Sequence, residues 1–386
     1  MVPRERARVS QLLRDPGRPD DHGRRQKEMN LGVFMMPLHP PEKDRTQCFE
    51  EDTELVIRAD ELGLTEAWVG QHHTAKWEPI PSNDLFIASL IPQTDQIRLG
   101  TGVTIITQHH PANVAVRLAF LDHLSKGRLN VGFGQGGVPT DWGLFDLPDP
   151  GTQGLMTMEA MDMVMKLWQE DAPFEFKGDF WKIGIDRQVP ELGLGELLKP
   201  YQKPHPPIAM SIVRAESRAA TTCGQKGFFP ISINMAPVQK LKRQWELYCA
   251  GAAEGGHDPP SRSSWRISRS IYVADSDEEA REQALNGSFA KSLVYLRGMM
   301  EMGGILDLLK IDPTMPDDEV DAEYIVDNIA IVGSPETVRQ KLQDLFGVTG
   351  GFGTLLMIAH DWDDKPDWHR CMSLMKEEVL PDMPGV

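Results

Sequence analysis

Histidine doublets stand at two places in this chain, and each follows a short apolar stretch. Gln71-His72-His73 comes after Thr65–Gly70, and Gln108-His109-His110 comes after Ile97–Thr104. Imidazole changes charge near neutral pH, so a histidine on an open rim can carry a proton or donate a hydrogen bond. A third candidate is Gly132-Phe133-Gly134-Gln135-Gly136-Gly137, where missing side chains let the backbone approach a planar ring or a phosphate. The fourth is Ser211 to Ser217 (SIVRAES), two hydroxyls and Arg214 leading into a helix, with Arg218 just beyond. Hydroxyls, arginines and a helix start are the donor set of an anion site.

Each of these has an ordinary reading as well. A lone histidine is more often satisfied by backbone bonds, the glycine run is also a tight turn, and SIVRAES is also a helix cap with surface arginines. No HExxH-like spacing supplies the converging ligands a metal needs. The GxGxxG look-alike has no helix starting promptly after it, as a dinucleotide fingerprint requires. His110-Pro111 reads as a loop former. Trp77, Trp142 and Phe145 read together as an apolar pocket wall or lid.

These residues need elements that bring them to one place. Ile97–Gly137 reads as strand, loop, helix and strand, with Pro111 suited to a first helical turn and Val114, Leu118, Leu121 and Leu124 marking one apolar face. A helical crossover makes its two strands parallel, so both end on the same side, where ligands of such folds bind. The remaining strands fall at Asn30–Met36, Thr65–Gly70, Pro207–Ile212, Phe228–Ile233, Trp265–Ala274 and Phe352–Ala359, with helices between them. Among the helices are Glu50–Leu62 closed by Gly63, Asp84–Ile91 capped by Ser82 or Asn83, Thr157–Gln169, a stretch capped by Asp275, and Pro335–Phe346 capped by Ser334. VPTDWGLFDLPDPGTQG reads as a long functional loop. PFEFKG and DFWKIG read as a hairpin. The expectation is an α/β fold, a (β/α)8 TIM barrel with a hairpin and loop excursion over the C-terminal rim; a doubly wound open sheet is the runner-up.

The chain has 386 residues, 40% of them hydrophobic and 25% charged, which suits a globular protein with one large domain or two ordinary ones. A net charge of −17 argues against nucleic acid or an anionic membrane as the main partner. Cys48, Cys223, Cys249 and Cys371 are scattered, which points to reduced thiols and a cytoplasmic location. Residues 1–28 carry seven arginines and no apolar core segment, and are expected to be a disordered tail or an over-extended start, with 29–386 as the folded domain.

At this point the chain resembles the bacterial luciferase-like family of flavin-dependent monooxygenases. NLGVFMMPLHP, WVGQHH, LGTGVTIITQHHP, LDHLSKGR, GSPETVRQKL, FGTLLMIAHDW and a closing EEVLP follow in the family's order. GFGQGGVPTDW and KWEPIPSND look most like the branch that includes limonene monooxygenase. The resemblance implies a barrel that binds reduced FMN delivered by a separate NAD(P)H-dependent flavin reductase. It implies reaction with O2, a small apolar terpene-like or alicyclic substrate, and a homo-oligomer, a dimer. His72 matches the first histidine of the family's EHH stretch and is the catalytic candidate. The family's glutamate is here Gln71, so a carboxylate that often orients the region is missing. The resemblance puts Gly102, Val103, Gly134, Gln135, Gly136, Ser211 and Ser217 around the flavin, with Gln135 where several relatives carry a phosphate-binding arginine. No metal is expected. The rivals are an F420- or FMN-dependent hydride-transfer enzyme, a non-catalytic flavin-binding relative and, more distantly, a metal-dependent barrel hydrolase.

Overall fold

The computed structural model describes residues 29–386; the segment 1–28 lies outside the described residues. In chain order the strands are β1 (Asn30–Leu38), β2 (Glu66–Val69), β3 (Arg98–Thr101), β4 (Thr104–Ile105), β5 (Leu129–Gly134), β6 (Phe174–Lys177), β7 (Lys182–Ile185), β8 (Ile208–Ile212), β9 (Phe229–Ser232), β10 (Arg266–Arg269), β11 (Ile271–Val273), β12 (Ile331–Gly333) and β13 (Thr354–His360). Nine of them form one parallel sheet in the order β3-β2-β1-β13-β10-β9-β8-β5-β4. Pairing of β3 with β5 closes that sheet into a ring. β3 and β4 are the two halves of one barrel strand, so the ring has eight staves, and the TIM barrel expectation holds.

Contacts across the ring show which face is inside. Glu66 reaches Arg266 at 3.3 Å, and Trp68 meets Phe229 edge-on at 5.8 Å, although the strands of neither pair are neighbours. The period-2 alternation of a strand then turns Gly100, Gly132, Gly134 and Ser211 inward. Room is scarce there: a Cβ on Gly100 would lie 2.5 Å from the Trp68 ring.

The helices obey local rules, with corrected boundaries. Helix α1 (Arg45–Glu61) starts five residues ahead of Glu50 because Asp44 caps it, accepting from the Gln47 N–H at 3.0 Å. Gly63 follows it at φ +72°, the left-handed stop that glycine allows. In α2 (Asn83–Leu90), Ser82 stands at the cap but spends its hydroxyl on Asp84. In α3 (Pro111–Leu124), Val114, Leu118 and Leu121 are buried, while Leu124 is 43% exposed and lies off the core face. The supposed loop after Gly137 contains helix α4 (Pro139–Leu144), and α5 (Pro150–Gln169) begins seven residues ahead of Thr157, capped by Asp149. Helices α6 (Arg218–Gln225) and α7 (Val238–Glu254) flank β9. Ser276, not Asp275, caps α8 (Asp277–Asn286) through the Glu279 N–H. The barrel strand expected over Trp265–Ala274 breaks at Ser270, and its second half, β11, pairs with β12 outside the ring.

The hairpin β6–β7 forms as expected but not over the mouth. Its turn is held by Glu159 in the middle of α5, which accepts from the backbone of Asp179, Phe180 and Trp181. The return segment bonds to Asp122 at the end of α3 and to Leu129 at the start of β5. The excursion therefore lies beside α5 and the strand-starting end. Helix α9 (Ser288–Met302) runs along the mouth instead, tied to Asp361 by Ser288, to His360 by Ser292 and to Glu78 by Tyr295. No helix among the described residues is long and apolar enough to cross a membrane.

Candidate active site

His72 leaves the end of β2, and its backbone N–H donates to the Ile80 carbonyl at 3.0 Å, closing the loop over residues 72–80. Its Nδ1 lies 3.4 Å from Asp141 Oδ2, and its Nε2 lies 3.4 Å from Glu78 Oε2. Asp141 is buried on α4 and accepts also from the backbone N–H of His73 (3.3 Å), the backbone N–H of Thr74 (2.9 Å) and the Thr74 hydroxyl (2.5 Å). Burial works against its charge, but these donors prevail and bring its pKa down to about 2. Glu78 is 4% exposed, and burial raises its pKa against the pull of His72 and Tyr295. Burial lowers the basicity of His72, yet Glu78 and Asp141 outweigh it and the imidazole pKa is raised. Carboxylates beside both ring nitrogens fix the ring and favour its charged form. A carboxylate thus reaches His72 from α4, while the residue ahead of it in the chain is the neutral Gln71.

The glycine and valine residues expected around a ligand come together. Val103 lies over the inner face of β5, and a Cβ on Gly134 would be 2.6 Å from its Cγ2. A Cβ on Gly136 would be 2.8 Å from Ile105. Gly102 joins Val103 through a cis peptide bond at the break between β3 and β4. Gln135 is half-buried, and its carbonyl accepts from the Thr107 hydroxyl at 3.1 Å. Ser211 faces inward one residue before the end of β8, and Ser217 is the N-cap of α6 with its hydroxyl uncommitted to the helix. Arg214 and Arg218 are exposed and carry no ion pair among the described residues, whereas Glu216 between them is taken by Arg243 at 2.7 Å.

Other candidates separate. His110 is exposed and caps α3 through its Nδ1, the structural role expected of it. His109 is partly buried, and burial with Arg117 nearby lowers its pKa. Phe145 meets the His73 ring at 4.7 Å, and Trp77 stacks on Tyr295 at 5.2 Å, so the aromatic wall is real around the His72 loop. Ligand-type atoms of His39, Glu51 and Asp361 converge, but the Lys43 ammonium sits between the carboxylates, at 2.5 Å from Glu51 and 2.7 Å from Asp361. The protein's own cation fills that cluster.

A flavin fits this rim on two grounds. Ser217, Arg214 and Arg218 offer uncommitted donors at a helix start. Finally, Gln71 Nε2, Thr104 Oγ1 and both side-chain polar atoms of Gln108 are buried at the strand-ending rim without partners, a cost that a polar ring would relieve. Sequence reasoning missed Asp141, Glu78 and Tyr295. The only local signal was Pro139, whose place before Asp141 marks a helix start rather than a loop.

The profile of the luciferase-like monooxygenase family matches residues 29–350. The chain is 30% identical over 372 residues to 3,6-diketocamphane 1,6-monooxygenase of Pseudomonas putida, covering 92% of this chain and 98% of that one. It is 32% identical over 364 residues to 4-hydroxyprotoasukamycin monooxygenase of Streptomyces nodosus subsp. asukaensis, covering 93% of each. Limonene 1,2-monooxygenase of Rhodococcus erythropolis is 29% identical over 371 residues, 95% of this chain and 88% of that one. Among solved structures, the oxygenating constituent of the Pseudomonas putida 3,6-diketocamphane monooxygenase, a type II Baeyer–Villiger enzyme in complex with FMN, superposes with a TM-score of 0.85. It covers 92% of this chain and 99% of its own, at 29% identity.

Proposed function

This chain belongs to the luciferase-like monooxygenase family, and from that premise we propose that it is the oxygenating component of a two-component, FMN-dependent monooxygenase. Reduced FMN arrives from a separate NAD(P)H-dependent flavin reductase. One atom of O2 enters a small apolar terpene-like or alicyclic substrate and the other leaves as water. The observation that carries the reading is the likeness, over 92% of the chain, to an FMN-bound monooxygenase. The diketocamphane and limonene enzymes suggest the substrate class. Reduced FMN supplies the two electrons that activate oxygen, and the protein supplies binding, orientation and dryness.

The role of each residue follows from its surroundings. Ser211, Ser217, Arg214, Arg218 and the N-terminus of α6 hold the phosphate, with Gln135 secondary because it brings no charge. The ring system lies at the strand-ending rim lined by Gly102, Val103, Gly134 and Gly136, where polar atoms of Gln71, Thr104 and Gln108 are buried without partners. His72, oriented by Asp141, holds a proton on Nε2 at the mouth. Trp77, Phe145 and Trp142 keep water away from the reacting centre. A homodimer is part of the proposal; the exposed Leu85, Val116, Phe120 and Leu124 on α2 and α3 form an apolar face suited to a second copy. So is a cytoplasmic location, where reduced flavin and its reductase are at hand, and a self-sufficient domain at 29–386.

The test is to supply photoreduced FMN and O2 with a panel of terpenes and cyclic ketones, and to assay for oxygenated products carrying label from 18O2. Labelled product is expected with at least one of them. Quantitative hydrogen peroxide with no product would count against oxygenation. Turnover in strict absence of oxygen would move the protein to hydride transfer.

A further inference from the structure

Two carboxylates face one imidazole at the mouth, and they are not equivalent. Asp141 has three further donors besides His72, so its charge does not rest on the ring alone. Glu78 has one, the Tyr295 hydroxyl at 2.9 Å on Oε1, which leaves Oε2 beside His72 Nε2 at 3.4 Å. The buried Glu78 therefore depends on the imidazolium for its charge, and the imidazolium on Glu78. Tyr295 comes from α9, and its ring stacks on Trp77 at 17° between planes, so the hydroxyl is aimed by packing rather than free to swing. The Trp77 carbonyl in turn accepts from the His39 backbone N–H at 2.8 Å, which fixes the loop carrying Glu78 to the end of β1.

We propose that Glu78 and Tyr295 are positioning residues that keep His72 protonated at the barrel mouth, Tyr295 by holding one Glu78 oxygen so that the other serves Nε2. The inference rests on the monooxygenase reading for its purpose, which is a ready proton beside the flavin, but not for its measurement. The charged groups facing His72 are Glu78 and Asp141, and Tyr295 acts only through Glu78. Burial opposes the His72 charge, and removing the Glu78 charge takes away one of the two carboxylates that offset it.

The experiment follows the His72 imidazole by NMR in flavin-free, histidine-labelled protein across pH, with the His72 signal assigned by its loss in His72→Gln. In Glu78→Gln the His72 midpoint is expected to fall by about one pH unit or more, the usual effect of deleting an adjacent opposite charge. In Tyr295→Phe it should fall in the same direction by less, because Glu78 keeps its carboxyl but loses the donor that favours its charge. The pH profile of the product-to-peroxide ratio should shift by a similar amount in each variant. An unchanged His72 midpoint in Glu78→Gln overturns the inference. If Glu78→Gln does not fold, Tyr295→Phe decides alone, since it leaves the buried carboxyl in place, and an unchanged midpoint there overturns it too. Shifted midpoints in a protein that oxygenates nothing would sink the monooxygenase reading and leave the His72–Glu78–Tyr295 arrangement standing.

Discussion

Removing the phosphate's proposed anchors should separate FMN from riboflavin. In Ser217→Ala with Arg214→Ala, a hydroxyl at the start of α6 and an exposed, unpaired guanidinium are lost while the helix remains. A hydrogen bond to a charged group contributes about 1.5–3 kcal/mol, and a solvent-exposed ion contact up to about 1 kcal/mol. Together, about 1.5–4 kcal/mol corresponds to a loss of FMN affinity of roughly 13- to 900-fold. Gln135→Ala removes one neutral donor, about 0.5–1.5 kcal/mol, or roughly 2- to 13-fold. Titration of flavin fluorescence against each variant gives both numbers, and riboflavin, which has no phosphate, is the internal control. Its affinity should be the same for wild type and the double variant. The reasoning fails if riboflavin weakens as much as FMN, or if Gln135→Ala is the more damaging change. The latter result would seat the phosphate at the loop after β5.

His72→Ala should leave a stable barrel that still binds FMN, because the residue stands beyond β2 and not in the barrel's packed interior; the product-to-peroxide ratio should drop by roughly ten- to a hundred-fold, the worth of one charged hydrogen bond. A collapse in melting temperature would make it structural instead. His360 lies between the hydroxyls of Ser292 (2.6 Å) and Ser270 (3.0 Å), and burial pushes its pKa down to about 3. It is neutral when folded, so its contribution is full above the unfolded value near 6.5 and is lost as pH falls toward 3. Denaturant melts of His360→Gln between pH 6.5 and 4.5 should therefore show a pH slope smaller by up to about 1.4 kcal/mol per unit; an unaltered slope would show that His360 is charged when folded. A chain beginning at Met29 should melt and turn over like the full one, since β1 starts at Asn30, and a drop of several degrees would show that the first 28 residues dock.

Regular alternation and capping made the barrel legible. The runs at Asn30–Leu38, Glu66–Val69, Leu129–Gly134 and Thr354–His360 are ended or followed at once by Gly or His, and Ser334 and Pro335 mark the start of the helix Pro335–Thr349 as expected. Short pieces were not: Ile331–Gly333 gains strand status only by pairing with Ile271–Val273, far away in sequence. The glycine and serine parts of the candidate site could be proposed from sequence because close approach and helix starts have residue signatures. Glu78 and Tyr295 could not. Their hydrogen bond spans 217 residues, and an acid between Trp77 and Pro79 looks like any surface carboxylate until α9 covers it. Asp141 was hidden by a Pro- and Gly-rich composition that suggested a loop, although Pro139 opens a helical turn there.

The pairing of β1 with β13 joins the first strand of the ring to the last. During synthesis, at about 5–20 residues per second, His360 follows Asn30 out of the ribosome by roughly 15–65 s. For that interval the apolar strand NLGVFMMPL has one side without its native neighbour. An unpaired apolar edge is a template for pairing with another nascent chain. Yield in the cell should therefore depend on holdase chaperones and on low temperature more than on the stability of the finished ring. A circular permutant that makes β13 before β1 should aggregate less while folding to the same barrel.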